Sequence, residues 1–257
     1  MFAPLAYFSF VGITDPAQHP AYNESQHLVL QPEIRVLPGV AWSDRWVHTP
    51  DCAALNFGAD PDLARIHYAD ITWFRAPVDV GIRGFRDACE RASHIGEPLS
   101  AGWIERPLHG LFVPLKGCAH PRVRVAAEAL PFRPARGVFL LVSRFARRDA
   151  DAEAAYHWYD ETRIPDLLEC RGAAGAWSFA TADVFRPDRD IAAPVLRIVQ
   201  VYLDDDPLIF MTDVAERTPS WRRAGRLADT SGVEEVLFAS PLSTIAAWQW
   251  DWFDRSH

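Results

Sequence analysis

Arg163-Ile164-Pro165-Asp166-Leu167, with Cys170-Arg171-Gly172-Ala173 close behind, decides how this sequence is read. An earlier stretch has the same build: Leu30-Gln31-Pro32-Glu33-Ile34, then Leu37-Pro38-Gly39-Val40. A shift of 133 residues lays Pro32 on Pro165, Glu33 on Asp166, Gly39 on Gly172 and Trp46 on Phe179. The identities are few. The match gains weight because the flanking elements recur in the same order, as expected of a duplicated supersecondary unit.

Working outward, Ala6 to Ile13 is a β-prone apolar run, and Tyr22 to Val36 is helical, broken by Pro32 and ended by Pro38-Gly39. Val40 to His48 and Ile66 to Phe74 alternate as strands. Pro77 opens a helix whose Val78, Ile82, Phe85, Cys89 and Ala92 step by three or four; Gly96 closes it, and Leu108 to Leu115 is the last strand. The second half replays this order. Val138 to Phe145 is a strand, Ala152 to Glu169 a helix capped by Asp151, Ala176 to Phe185 and Val195 to Leu203 strands. A helix then starts at Asp206-Pro207, and a final strand begins at Val236 to Phe238.

Each half reads β-α-β-β-α-β, a ferredoxin-like unit of an α+β fold. The halves are residues 1–118 and 137–257, joined by a proline-containing linker over 119–136. The strands are apolar on both parities, since Tyr7 and Val11 alternate with Phe8 and Phe10. Both faces therefore need cover, and two sheets packed on each other with helices outside provide it. One chain then makes a complete barrel.

The helix start Trp158-Tyr159-Asp160-Glu161-Thr162 running into Arg163-Ile164-Pro165-Asp166, with Gly172 ahead of a strand, resembles the dimeric α+β barrel superfamily, in an EthD-like or polyketide-cyclase-like flavour. The resemblance implies a tandem copy in the first half, Tyr22-Asn23-Glu24 through Leu30-Gln31-Pro32-Glu33 to Pro38-Gly39. The family histidine is replaced by Leu30 and Arg163. Haem-binding relatives use a proximal histidine, for which His157 is the candidate; a surface histidine is the alternative.

Composition narrows the function. The 257 residues carry 26 Lys+Arg against 34 Asp+Glu, a net charge of −8, which lacks the basic excess that nucleic acid demands. Hydrophobic residues at 49% and charged residues at 23% describe an ordinary globular chain. Lys116 is the sole lysine, so amine catalysis has one candidate. No run approaches the roughly 20 apolar residues of a membrane span. The start lacks a signal pattern, and the four cysteines form no CxxC pair, so a cytoplasmic protein is expected. No histidine or cysteine spacing suits a metal, and no GxSxG, HExxH, Walker or GxGxxG motif is present. No metal and no cofactor is expected.

Candidate chemistry lies in two places. In Trp42-Ser43-Asp44-Arg45-Trp46-Val47-His48, alternation puts Trp42, Asp44, Trp46 and His48 on one face. A carboxylate between indoles is desolvated, which raises its pKa and suits it to proton transfer. The alternative is core tryptophans with a solvated or arginine-paired Asp44. On the second-half helix, Tyr159 and Arg163 stand one turn apart, as proton donor and oxyanion holder or as a surface ion pair. His27, Trp42, Trp46 and Trp177 are the substrate-binding candidates, with His27 read alternatively as a plain helix residue. The expectation is a cofactor-independent lyase, isomerase or cyclase acting on an apolar, aromatic or polyketide-like ligand. A cofactor-free monooxygenase and a non-catalytic binder of the same fold are the alternatives. Homodimerisation, if it occurs, uses helices or the tail of Trp248, Trp250 and Trp252.

Overall fold

A computed structural model describes residues 2–95, 102–146, 149–182 and 195–253. The first half runs β1 (Leu5–Ile13), α1 (His19–Ser25), a π-helical turn (Gln26–Leu30), α2 (Gln31–Arg35), β2 (Val40–Val47), α3 (Pro50–Ala53), β3 (Tyr68–Phe74), α4 (Val78–Ile95) and β4 (Ile104–Ala119). The second runs β5 (Gly137–Phe145), α5 (Ala150–Trp158), a π-helical turn (Tyr159–Arg163), α6 (Ile164–Leu168), β6 (Ala173–Thr181), β7 (Val195–Leu203), α7 (Pro207–Arg223) and β8 (Glu234–Thr244).

The eight strands close into one antiparallel barrel in the order β1-β3-β2-β8-β5-β7-β6-β4. Within each half the order is fourth, first, third, second strand, so the two repeats share one topology. Inward residues of every strand fill the interior. Phe8, Phe10, Trp46, Ile71, Trp73, Phe112, Leu140, Phe179 and Phe238 form one continuous core. Outward residues pack beneath the helices in two further clusters, one per repeat.

The seams between repeats are unequal. β4 and β6 pair from Phe112↔Thr181 to Ala119↔Gly175, whereas β2 and β8 meet only at Trp46↔Thr244 and Val47↔Ser243. β4 is accordingly far longer than the Leu108 to Leu115 strand read from sequence, because its far end serves the second repeat. The linker stretch holds two 3-10 turns, Pro121–Val123 and Ala127–Phe132.

Pro32 does not break the first helix, contrary to expectation. A π turn ends immediately before Gln31-Pro32, as another ends before Ile164-Pro165. Proline lacks an N–H and its ring collides with the carbonyl four residues back. The wider π turn moves that carbonyl aside, so the chain continues through. The helix cap is also corrected: Asp149, not Asp151, accepts the Ala152 amide at 3.0 Å. The expected helix stop at Gly96 and strand end at Phe185 lie outside the described residues.

Gly39 and Gly172 both take positive φ (82° and 83°) where helix passes into strand. A Cβ on Gly39 would stand 2.6 Å from the Pro77 carbonyl oxygen and the Gly81 amide nitrogen, both backbone atoms that cannot swing away. Gly39→Ala should therefore cost more than about 3 kcal/mol by urea denaturation, exceeding the 1–3 kcal/mol of left-handed strain alone. Gly225→Ala, at φ 65° with open space around it, should cost only about 1 kcal/mol. Equal losses would show that strain, not close approach, fixes Gly39.

Candidate functional site

Alternation along the first-repeat strands builds a cleft on the outer face of the barrel. Tyr7, Ser9 and Val11 of β1, Asp70, Thr72 and Phe74 of β3, and His109 and Leu111 of β4 project toward the helices. α4 roofs them with Ile82, Phe85 and Cys89, one helical stripe. Thr181 and Leu196 from the ends of β6 and β7 complete the wall. The cavity is about 600 Å³, within the range of small-molecule sites. A second chamber of about 70 Å³ adjoins it, and Tyr7, Phe85 and Cys89 line both.

The inner chamber mixes polar side chains with apolar ones. Asp70 and Thr72 of β3 line it, and they pair across the sheet with Arg45 and Ser43 of β2. Arg45 Nε donates to Asp70 Oδ1 at 2.7 Å, and its guanidinium lies between the rings of Tyr22 and Tyr68, 5.1 and 5.3 Å from their centroids. Burial, the largest influence, holds the Asp70 carboxyl above its ordinary range against the pull of Arg45 and then Arg106. Burial also pushes the Tyr7 phenol up to about 12 and the Cys89 thiol to about 11. Gln26 and Gln31 close the chamber from the π turn and α2.

None of the residues expected from the sequence lines this cleft. Asp44 shares its strand parity with Trp42 and Trp46, and burial raises its pKa although its side chain keeps 34% exposure. It lies 3.7 Å from Arg35, whose guanidinium covers the Trp42 ring. His48 makes no pair with Asp44. Its ring nitrogens lie 3.1 Å from the Ile66 carbonyl and 2.8 Å from Ser240 Oγ, which makes it a tie between repeats. Trp46 is barrel core, and Trp177 donates its indole N–H to the Ala127 carbonyl at 3.0 Å. His27 stacks on Trp250.

Beneath the second-repeat helices, Phe139, Leu141, Tyr159, Leu167, Val199, Val201 and Phe210 pack into one cluster. Tyr159 Oη donates to Glu234 Oε1 at 2.7 Å, as does Ser143 Oγ at 2.5 Å. Arg163 lies over the Trp221 ring at 5.1 Å, and burial lowers its pKa. The tyrosine and arginine thus belong to packing between the π turn and its neighbours. His157 is exposed.

Sequence reasoning missed the actual lining. Asp70 and Thr72 interrupt the apolar run Ala69-Asp70-Ile71-Thr72-Trp73 on alternate positions, which marks a polar face between strand and helix. That signal is present in the sequence; what it lacks is a partner, since Arg45 is 25 residues away.

No protein-family model and no curated protein matches the sequence. Solved structures match in shape. A protein assigned as a chlorite dismutase is 10% identical with a TM-score of 0.53, the match covering 97% of each chain. One assigned as a monooxygenase, from Fusobacterium nucleatum, is 8% identical with a TM-score of 0.54, covering 96% of this chain and 94% of its own. A DypB variant from Rhodococcus jostii in complex with heme is 9% identical with a TM-score of 0.48, covering 95% and 94%. The fold is that of the ferredoxin-like α+β barrels. The same neighbours overturn the expected cofactor-independent lyase, isomerase or cyclase: full-length matches to this barrel carry the names of redox enzymes, so the fold gives that chemistry no support. The residues on which it rested are also spread over the barrel interior, a tie between repeats and the second-repeat core.

Histidine burial has a measurable consequence. His19 and His48 are each 1% exposed, and burial lowers them to about 3 and about 4. A folded-state pKa below the unfolded value of about 6.5 gives stability that is present above pH 6.5 and lost as pH falls toward 4. Each histidine should remove about 1.4 kcal/mol per pH unit across that window. Urea midpoints at pH 7 and pH 5 measure the loss, and midpoints that hold steady would mean both rings already protonate in the fold.

Proposed function

We propose that the first-repeat cleft binds a small amphipathic organic molecule, its apolar body between α4 and the sheet and its polar end toward Asp70, and that this is where the protein acts on its ligand. The two neighbouring cavities carry this reading: Phe74, Ile82, Phe85 and Leu111 wall the outer one, and Asp70, Gln26, Gln31 and Arg106 converge on the inner. The EthD-like flavour of the Pro-Asp and Pro-Gly motifs supports an aromatic body. Arg86 and Arg106 stand exposed at the rim, favouring neutral or anionic ligands over cations. Four free thiols suit a reducing compartment such as the cytoplasm, and among the described residues no helix is long and apolar enough to cross a membrane.

Haem, which the DypB neighbour holds, does not fit the side chains of this chain. In the second repeat the π turn offers Arg163, His157 is exposed, and packed side chains occupy the space. In the first repeat the donors lining the cavity are Cys89 and His109. His109 stands exposed. The Cys89 thiol is held protonated first by burial, against Arg106, with Asp70, Glu33 and Glu90 adding to the cost of a thiolate. A soft-metal ligand wants the opposite surroundings.

2-Methylnaphthalene tests the cleft. Burying about 200 Å² of apolar surface at ~25 cal/mol per Å² corresponds to about 5 kcal/mol, or a Kd of roughly 0.2 mM. Ligand fluorescence should follow a saturable single-site curve. Ile82→Trp, which fills the outer cavity, should weaken binding at least about tenfold without lowering Tm appreciably. Unchanged affinity in that variant would place the site elsewhere. Hemin added to the same protein should give no saturable Soret shift; a shift lost in Cys89→Ala would reinstate haem here.

A further inference from the structure

The inner chamber has a chemistry that the outer cavity does not share. Gln31 is 6% exposed, lines the chamber, and its Oε1 has no hydrogen-bond partner. A buried acceptor left empty is costly, on the order of 1–3 kcal/mol, so a ligand bringing a donor to it is favoured. Asp70 Oδ1 is occupied by Arg45 Nε. The other carboxylate oxygen, the Tyr22 hydroxyl and the Arg106 guanidinium face a space large enough for one or two heavy atoms.

The pairing of donors and acceptors decides which head group. The chamber's lining carries one guanidinium, Arg106, and one carboxylate, Asp70, which Arg45 holds through Nε. Tyr7, Tyr22 and Cys89, the other titratable groups here, are each held in their neutral forms by burial. The lining therefore presents donors and acceptors together. An ammonium head has no lone pair for Arg106 or Tyr22, and a carboxylate head would face the Gln31 acceptor without a proton to give. A hydroxyl meets both demands, because it donates to Gln31 Oε1 or Asp70 and accepts from Tyr22 or Arg106.

We infer that the inner chamber is a hydroxyl-recognition subsite, so that the ligand of this cleft is a hydroxylated aromatic whose ring system occupies the outer cavity. This rests on the proposed ligand cleft and adds to it the identity of the head group. Thr72 stays in the wall, its hydroxyl engaged with Ser43 Oγ at 2.9 Å.

Three probes with one ring body separate the possibilities: 2-naphthol, 2-methylnaphthalene and 2-naphthylmethylammonium, each titrated by fluorescence at pH 7 against the intact chain. The expected order has 2-naphthol at least about tenfold tighter than 2-methylnaphthalene, with the ammonium weakest, in keeping with about 1.4 kcal/mol per tenfold. Gln31→Met keeps the volume and removes the acceptor. It should shrink the preference for 2-naphthol over 2-methylnaphthalene to less than about threefold. Tyr22→Phe should reduce the preference in the same sense and serves where Gln31→Met does not fold. If 2-methylnaphthalene binds and 2-naphthol binds no better, the hydroxyl subsite is wrong and the cleft stands. The subsite is equally wrong if the ammonium binds tightest, or if both variants keep the full preference. If no probe binds, the cleft itself fails and the subsite with it.

Discussion

The leading strand of each repeat, β1 and β5, is apolar on both faces, and the need to cover both at once governs the rest of the structure. Inward side chains meet around the barrel axis, with Trp46, Trp73, Phe112, Phe179 and Phe238 all essentially sealed from water. Outward ones require helices, and each repeat supplies its own layer. Closing the barrel needs two seams, which the chain makes unequally. The β4–β6 seam is long and continuous, while β2–β8 joins at two residue pairs. His48, tied to Ser240 at 2.8 Å, and Asn56, whose Oδ1 accepts the Ala239 amide at 3.1 Å, reinforce the short seam with polar links. A weak ladder is thus compensated by buried hydrogen bonds, each worth about 1 kcal/mol.

Duplication supplied two equivalent positions beneath the helices, and different side chains fill them. The π turns of the two repeats stand at the same place ahead of their prolines. Gln26 of the first corresponds to Tyr159 of the second, and Gln31 to Ile164. In the second repeat those larger or apolar side chains join the core, and Tyr159 spends its hydroxyl on Glu234. In the first, amide side chains stop short and leave a partly polar chamber beneath the helix. The difference lies in side-chain length and polarity at a few positions on one shared backbone.

The fold was legible because it rests on periodicity and punctuation. Pro32/Pro165 and Gly39/Gly172 mark corresponding turns, and strand alternation on both parities demands two covered faces. The site was not legible, for a physical reason. Asp44, on the same parity as Trp42 and Trp46, keeps about a third of its side chain exposed and lies 3.7 Å from Arg35, away from the cleft. Alternation tells which residues share a face but not which face holds the cavity. Arg45, on the opposite parity of the same strand, holds Asp70 of β3, and Asp70 is the residue that lines the cleft. Pairing across strands, which sequence spacing does not reveal, made the site.

The tryptophan-rich C-terminus shows how aromatic density can mislead. Such residues suggest a ligand platform, but here they close the first repeat from outside. Trp250 stacks on His27, and Phe253 stacks on His19 at 4.2 Å and meets His67 edge-on at 4.7 Å. Those imidazoles are neutral because burial disfavours their cations, with His19 near 3 and His27 and His67 near 4. Neutral rings stack on aromatics without a desolvated charge to accommodate, so the tail and the histidines stabilise one another. The same contacts press on α1 and the π turn, the elements that carry Tyr22 and Gln26 into the inner chamber. Removing the tail would therefore loosen the chamber from behind while leaving the α4 roof in place, so the polar end of the cleft depends on a segment that never enters it.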